Sequence, residues 1–277
     1  MNLPKFEKLW IIQASCKNLP EKTRNSKLAP PGSNPAPADK PLEDAIHSQS
    51  ADDLIAAASD PRMTEDLALA MLVRRDLPSQ ALERLHKNSA IAKVRKVRLA
   101  IVTHPRTPRH VSVPVIRHLY TFELMQVALL PAVAADIKIA AEEALIGRLA
   151  TISAGERYTL AKQSSGRVAA ALLLDKEERI MLSALANPHM TEALLAKAVR
   201  SEKGTELLVP AVCHHEKWSL RNDIKAALLG NENTPLARVL QFAQELPVSV
   251  VKEILLNSRL SSNVKSYLQS IVAKQVL

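Results

Sequence analysis

Asp60-Pro61-Arg62-Met63-Thr64-Glu65-Asp66-Leu67 returns later in the chain as Asn187-Pro188-His189-Met190-Thr191-Glu192-Ala193-Leu194. Two shorter stretches are similar, in that each begins with His or Asn and ends with Thr-Pro: His104-Pro105-Arg106-Thr107-Pro108 and Asn231-Glu232-Asn233-Thr234-Pro235. The four stretches begin at positions 60, 104, 187 and 231. These spacings fit one period of about 42 residues with a degenerate copy near residue 146. Such a period is typical of helical repeat proteins, which stack similar units along the chain.

The composition favours the same fold. Hydrophobic residues make up 47% of the 277 residues, mostly as Ala, Leu, Val and Ile, whereas aromatic residues make up 3%. Ala and Leu favour helices, and no segment alternates apolar and polar residues as a strand does. We therefore predict an all-α protein, an α-solenoid of about five three-helix repeats of about 42 residues each.

The stretch that precedes Leu42 differs from the rest of the chain. Leu9-Trp10-Ile11-Ile12 is too short an apolar run for a transmembrane helix or a signal sequence. The stretch from residue 17 to residue 41 is rich in Pro, Ala, Ser, Asn and Lys, a composition that cannot bury a core. We predict a disordered arm and Pro-rich linker over residues 1–41 and the solenoid over residues 42–277. The apolar run is either part of this arm or a short docking motif.

Each predicted repeat contains three helices, after a leading helix at Leu42–Ala58. The predicted repeat helices are Thr64–Asp76, Ser79–Asn88, Ile91–Thr103, Pro108–Tyr120, Phe122–Ala132, Asp136–Ile152, Ala154–Ser164, Gly166–Leu174, Lys176–Ala186, Glu192–Ser201, Thr205–His214, Leu220–Leu229, Pro235–Leu246, Ser249–Ser258 and Asn263–Lys274. Helix starts are indicated by Thr-Pro pairs at 107–108 and 234–235, with the hydroxyl at N-cap and proline at N1. Ser153 and Glu156 fit a capping box. Pro114, Pro131 and Pro210 should kink or break their helices.

Two stretches carry a family resemblance. Asn187-Pro188-His189-Met190-Thr191 before Leu194-Leu195, and residues 97–102 running into His104-Pro105-Arg106-Thr107-Pro108, resemble bacterial leucine-rich-repeat-variant and HEAT/armadillo-type repeats. The resemblance covers residues 42–274. It implies a curved, right-handed α-solenoid with an armadillo- or HEAT-like superhelix, which usually acts as a protein-interaction scaffold and seldom as an enzyme. Some leucine-rich-repeat-variant proteins hold an iron–sulfur cluster on a group of cysteines, and this chain lacks those cysteines.

One window has an unusual charge. From Arg84 to Phe122 the chain contains no Asp or Glu. The other residues hold 28 basic and 28 acidic side chains, so the formal charge of +9 arises in this window. Its nine cations, which we call the basic set, are Arg84, Lys87, Lys93, Arg95, Lys96, Arg98, Arg106, Arg109 and Arg117. Clustered cations create a positive local field that attracts anions.

Several partners fit such a field. Nucleic acid is one, because Lys and Arg neutralise phosphates; an anionic membrane surface and an acidic protein are others. Only Tyr120 and Phe122 lie near the window, so stacking on single-stranded bases has little support. The structural alternative is that Arg95 and Arg98 pair with Asp or Glu of neighbouring repeats. The four cations between residues 93 and 98 also spread around more than half of a helix, so they do not all share one face.

The sequence contains few residue patterns that are typical of catalysis or metal binding. The chain has no P-loop, GxSxG, HExxH or GxGxxG sequence, and its two cysteines, Cys16 and Cys213, form no CxxC pair. Cys213-His214-His215-Glu216 contains ligand types, but consecutive helical residues point about 100° apart and do not converge on one ion. A HEAT-like DNA glycosylase would need aromatic and carboxylate residues on its concave face, for which the chain offers Trp218 beside Asp223.

These observations lead to one main prediction. We expect a non-enzymatic, cytoplasmic protein-interaction scaffold with no cofactor, no metal and no transmembrane segment, whose basic set contacts an acidic protein partner. Sequence-independent DNA or RNA binding by the same cations is the alternative, and a DNA-repair-type enzyme is a weaker one. The sequence leaves the partner and the oligomeric state open.

Overall fold

The computed structural model describes residues 42–201, 205–258, 260 and 262–275, the last five of these by their backbone alone. Every regular element in these ranges is an α-helix. The helices are α1 (Leu42–Ile46), α2 (Ala51–Ser59), α3 (Glu65–Leu72), α4 (Ser79–Lys87), α5 (Arg95–Thr103), α6 (Arg109–Ile116), α7 (Thr121–Leu129), α8 (Ala135–Arg148), α9 (Ala154–Gln163), α10 (Gly166–Leu172), α11 (Glu178–Leu185), α12 (Glu192–Val199), α13 (Leu208–His214), α14 (Asn222–Leu229), α15 (Leu236–Glu245), α16 (Val248–Asn257) and α17 (Ser262–Gln275). The all-α prediction is confirmed for the described part of the chain.

The fifteen predicted repeat helices each overlap one of the helices α3 to α17. The predicted leading helix at Leu42–Ala58 is wrong, because α1 and α2 occupy its place. The break occurs where Ser50 caps α2: its side chain accepts a hydrogen bond from the backbone N–H of Asp53. A serine at this position favours a new helix start over continuation. The predicted disordered arm at residues 1–41 lies outside the described residues.

The capping predictions have mixed outcomes. The capping box is confirmed, since Ser153 Oγ accepts from Glu156 N and Glu156 Oε2 accepts from Ser153 N at 3.0 Å. The Thr-Pro prediction is wrong. Thr107 Oγ1 donates to the carbonyl of Ile101 at 2.5 Å, and Thr234 Oγ1 donates to its counterpart in α14 at 2.6 Å. Each threonine therefore satisfies a carbonyl at the end of the preceding helix, and the proline after it takes the N-cap position.

The predictions for the prolines and for the degenerate copy of the repeat have mixed outcomes. α7 ends at Leu129, so the helix predicted over Phe122–Ala132 is broken before Pro131 as expected, whereas Pro114 lies inside α6. Pro210 lies in the first turn of α13, where the missing N–H has no partner to lose. Residue 146, where a copy of the turn was expected, lies within the fourteen-residue helix α8.

Helices that are neighbours in sequence also pack together. The extensive contacts among the described helices join partners that are one or two positions apart in chain order, such as α7 with α8, α2 with α4 and α12 with α14. The buried core follows the same order in three clusters, over residues 46–111, 102–242 and 229–268. Each helix therefore buries its apolar face against near neighbours instead of one central core.

Polar side chains fasten these stacked helices at their ends. Asn187 is 5% exposed, and its Nδ2 donates to the carbonyls of Ala161 at 2.8 Å and Ser164 at 3.2 Å. Its Oδ1 accepts from the N–H two residues later at 2.7 Å. Asn88 and Asn231 repeat this arrangement at the ends of α4 and α14. The repeated Asn of the sequence is thus a clamp that satisfies carbonyls at the end of the helix two positions earlier.

The clamps divide the turns into two alternating sets. We call a turn even when it follows an even-numbered helix and odd when it follows an odd-numbered helix. Asn88, after α4, bonds to carbonyls at the end of α2, and Arg148, at the end of α8, donates to the carbonyls of Arg117 and Leu119 after α6. His104, after α5, bonds to the carbonyl of Arg74 after α3 at 2.7 Å. Even turns therefore lie beside even turns and odd turns beside odd turns.

Gly166, the first residue of α10, shows how closely two odd turns approach each other. A Cβ added to it would lie 2.3 Å from the backbone carbonyl oxygen of His189. We expect Gly166→Ala to lower the free energy of unfolding by about 1–3 kcal/mol, because the backbone must move to accept the methyl group. The control is Gly147→Ala in α8, whose Cβ would meet nothing within 4 Å. It should stabilise by about 0.5–1 kcal/mol through helix propensity. Urea unfolding measures both, and equal effects would contradict the close approach.

Candidate functional site

The structure does not bring all nine cations of the basic set together. Seven lie in or next to two neighbouring even turns, the α4–α5 turn (residues 88–94) and the α6–α7 turn (residues 117–120). These seven are Arg84, Lys87, Lys93, Arg95, Lys96, Arg98 and Arg117. Arg106 and Arg109 lie in and after the odd turn at the other end of α5, a helix about 13 Å long. The acid-free window therefore corresponds to two separate surfaces.

Three of the nine cations form ion pairs with carboxylates outside the window. Lys96 Nζ lies 2.9 Å from Glu65 Oε1 in α3, and Arg109 Nε lies 3.6 Å from the carboxylate of Asp136 in α8. Arg95 pairs with Glu123 in α7. Hydrogen bonding to these carboxylates raises the pKa of both Arg95 and Lys96. All three pairs join helices two positions apart, as expected for arginines that link neighbouring repeats.

Two further cations bond to backbone carbonyls. Arg98 Nε donates to the carbonyl of Ala92 at 2.7 Å, which holds the α4–α5 turn against α5. Arg106 Nη1 donates to the carbonyl of Asp76 at 2.8 Å, across two adjacent odd turns. Both acceptors are carbonyls of turns, outside the helices. These two arginines therefore stabilise the turns.

Four side chains of the basic set remain, which we call the open cations: Arg84, Lys87, Lys93 and Arg117. All four are exposed, and they form no hydrogen bond or ion pair with any residue in the described ranges. All four lie at the two even turns. Because none of them is neutralised by an ion pair within the described residues, they are the part of the basic set that is available to an anion.

Two aromatic residues share this location, and sequence reasoning underestimated them. Tyr120 is 63% exposed and Phe122 is 43% exposed, at the start of α7. The guanidinium carbon of Arg95 lies 4.5 Å from the centre of the Tyr120 ring. Glu123 is 5% exposed and accepts both from Arg95 and from the Tyr120 N–H, so it fixes the arginine over the ring. The stacking joins the two even turns, and its signal in the sequence was the position of both aromatics at the border of the acid-free window.

Two histidines of the window have lowered pKa values, which favours their neutral forms. Burial lowers the pKa of His104, whose ring nitrogens bond to the carbonyl of Arg74 and the N–H of Arg106. Burial, with help from the nearby charges of Arg98 and Lys87, also lowers the pKa of His86. His104 thus takes the structural role that Asn has in the other clamps.

The sequences considered for metal or catalytic chemistry do not converge. Cys213 is fully buried and burial raises its pKa, while His214 Nδ1 bonds to the carbonyl of Pro210. The next histidine uses Nδ1 to accept backbone N–H groups of its own turn. Trp218 is 4% exposed, so it is a core residue, and Asp223 lines an open groove between α12, α14 and α16. No three His, Cys, Asp or Glu side chains of the described residues are placed to share a metal ion.

Over the described ranges, no helix combines the length and the hydrophobicity required to cross a bilayer. No family profile, curated protein or solved structure matches the sequence or the fold.

Proposed function

We propose that residues 42–277 form a right-handed α-solenoid of the armadillo/HEAT type, similar to bacterial leucine-rich-repeat-variant proteins. The contacts between helices one and two positions apart support this arrangement. They favour a unit of two helices over the three-helix unit predicted from the spacing of the similar turns. α2 begins at residue 51 and α17, fifteen helices later, begins at residue 262, so a new helix begins about every 14 residues. The 44 residues between the similar turns at 60 and 104 therefore contain three helices, which is one and a half two-helix units.

Its function, on this proposal, is that of a non-enzymatic protein-interaction scaffold in the cytoplasm. The observation that carries it is the combination of four open cations with exposed Tyr120 and Phe122 on two neighbouring turns. Arginine and tyrosine are enriched at the energetic centres of protein interfaces.

Nucleic-acid binding by the same surface is the second candidate, favoured by the acid-free window. The pairing of the other five cations argues against it, since each phosphate contact they made would cost an existing bond. With four open cations, the slope of the logarithm of the binding constant against the logarithm of the salt concentration would be no steeper than about −3.6 for duplex DNA. Fluorescence-anisotropy titration of a labelled duplex and a labelled single strand at four salt concentrations measures this slope. Submicromolar binding at physiological salt would favour nucleic acid over the scaffold.

Selection from a displayed library of short random peptides tests the scaffold directly. The full chain is the immobilised target, and the expected result is a convergent family of peptides that bind the native protein and not the urea-unfolded protein. Enrichment of no sequence family after repeated rounds would contradict a role in binding protein segments.

A further inference from the structure

We infer that the α4–α5 and α6–α7 turns together form a docking surface for an extended, acidic segment of a partner protein that carries an aromatic or aliphatic residue. The inference rests on the proposed scaffold function and goes beyond it by naming the surface and the chemistry of the partner. The residues that carry it are the four open cations, Tyr120 and Phe122.

The surface is continuous across the two turns. Arg95 stands at the start of α5, two residues after Lys93, and its guanidinium stacks on Tyr120 in the next even turn. Arg117 precedes Tyr120 by three residues, and Lys87 ends α4 on the other side. Stacked helices lie about 8–10 Å apart, so a segment that reaches both turns needs about 3–6 residues in extended conformation.

The charge of the surface selects an acidic segment. The open cations form no ion pair within the described residues, so a carboxylate from a partner gains an ion pair without breaking one. Three acids on neighbouring helices or beside Arg84 are already engaged: Glu65 with Lys96, Glu123 with Arg95, and Glu83 with His110. A basic segment would meet unopposed repulsion at both turns.

The aromatic residues select an apolar side chain within that segment. Tyr120 is held by stacking on one side and is still 63% exposed, so part of its surface is open to a ligand. Phe122 lies two residues further at the first turn of α7 and is 43% exposed. The phosphate backbone of a duplex gains nothing from covering these rings, whereas an aromatic or aliphatic side chain removes them from water. The pairing of cations with exposed rings is therefore better matched by an acidic peptide than by duplex nucleic acid, and the labelled single strand tests stacking of bases on the same rings.

Two charge variants test the surface. The reversal variant replaces the open cations: Arg84→Glu, Lys87→Glu, Lys93→Glu and Arg117→Glu. The control variant replaces two Arg and two Lys that are also exposed and form no hydrogen bond or ion pair in the described ranges: Arg75→Glu, Lys176→Glu, Lys197→Glu and Arg221→Glu. Both variants change the formal charge from +9 to +1, and none of the eight side chains has a contact whose loss would unfold the protein. Equal melting curves verify the fold.

The probes are three fluorescein-labelled peptides, each long enough in extended conformation to reach both turns. The first alternates Glu and Gly around a central Phe, the second has Gly in place of Phe, and the third has Lys in place of every Glu. We expect the first peptide to bind the wild type and the control variant equally, about 100-fold more tightly than the reversal variant. Removing the peptide's Phe, or introducing Phe122→Ser in the protein, should weaken binding about 5-fold or more. The Lys peptide should not bind.

The outcomes separate this inference from the scaffold function. If peptides selected from the random library bind the reversal variant as tightly as the wild type, the docking surface is wrong and the scaffold stands. Equal weakening in the reversal and control variants would reduce the effect to net charge and also overturn it. If neither the library nor the acidic Phe peptide yields binding, both proposals fail.

Discussion

Trp218→Ala should lower the free energy of unfolding by about 3–5 kcal/mol, the largest single-residue effect that we expect in this protein. The side chain is 4% exposed within the largest core cluster. Its Nε1 donates to the carbonyl of Leu185, at the end of α11, at 3.2 Å. Alanine would leave a cavity and also a buried carbonyl without a partner. Urea unfolding, followed by far-UV circular dichroism, measures the loss.

Two matched substitutions separate the contributions. Trp218→Phe keeps most of the apolar contact and removes the N–H, so it should cost about 1–3 kcal/mol. Tyr267→Ala removes an aromatic side chain that is 53% exposed in α17. It should lower the free energy of unfolding by no more than about 1 kcal/mol. If Trp218→Ala destabilised no more than Tyr267→Ala, Trp218 would not be a core residue, and the interpretation of this tryptophan as part of a concave active face would regain support.

Asn187→Ala should lower the free energy of unfolding by about 2–4 kcal/mol. The substitution removes hydrogen bonds to two carbonyls at the end of α9 and one bond within its own turn. The carbonyls lie beneath a side chain that is 5% exposed, so water has little access to replace the lost donors. The effect should be larger at Asn187 than at Asn231, because Asn187 bonds to two carbonyls of the earlier helix end and Asn231 to one.

The control for Asn187 is Asn222→Ala, at the first residue of α14. Asn222 is exposed and makes no side-chain hydrogen bond within the described residues, so its loss should change stability by no more than about 0.5 kcal/mol. Asn231→Ala should again be costly, because Asn231 clamps the carbonyl of Val199 at 2.6 Å. Similar small effects at all three positions would contradict the clamp role of the repeated asparagine.

Much of the fold could be predicted because its signals are local. Helix positions follow from apolar spacing and from punctuation such as Ser153-x-x-Glu156, whose partners lie within one turn of the chain. The failures arise where local rules compete. Thr107 has two available uses for its hydroxyl, and the carbonyl of Ile101 behind it takes precedence over the N–H groups ahead. Sequence alone does not rank these two bonds.

The stacking unit was harder to predict than the helices. The spacing of similar turns measures resemblance along the chain, whereas contacts depend on which helices lie side by side. His104 illustrates the difference, because it bonds to the carbonyl of Arg74, thirty residues earlier. The chain between Arg74 and His104 forms two helices, α4 and α5. The repeated sequence stretches do not have this spacing, so they do not indicate the contact.

The candidate surface was only partly visible in the sequence. The absence of Asp and Glu between residues 84 and 122 showed where positive charge accumulates. It did not show which cations are neutralised, since their partners Glu65 and Asp136 lie outside the window and Glu123 lies directly after it. The stacking of Arg95 on Tyr120 likewise depends on the proximity of α5 and α7. Pairing across helices is a property of the fold, so the division into open and engaged cations required the structure.

Backbone amide hydrogen exchange of the full chain, with and without a saturating amount of the acidic Phe peptide, tests the central claim most directly. We expect slower exchange over residues 88–98 and 117–124, which form the two even turns and the helix starts that follow them. Exchange should be unchanged at the odd turn over residues 104–108. Protection that is absent from residues 88–98 and 117–124, or that is equally strong at residues 104–108, would contradict a docking surface built on the even turns.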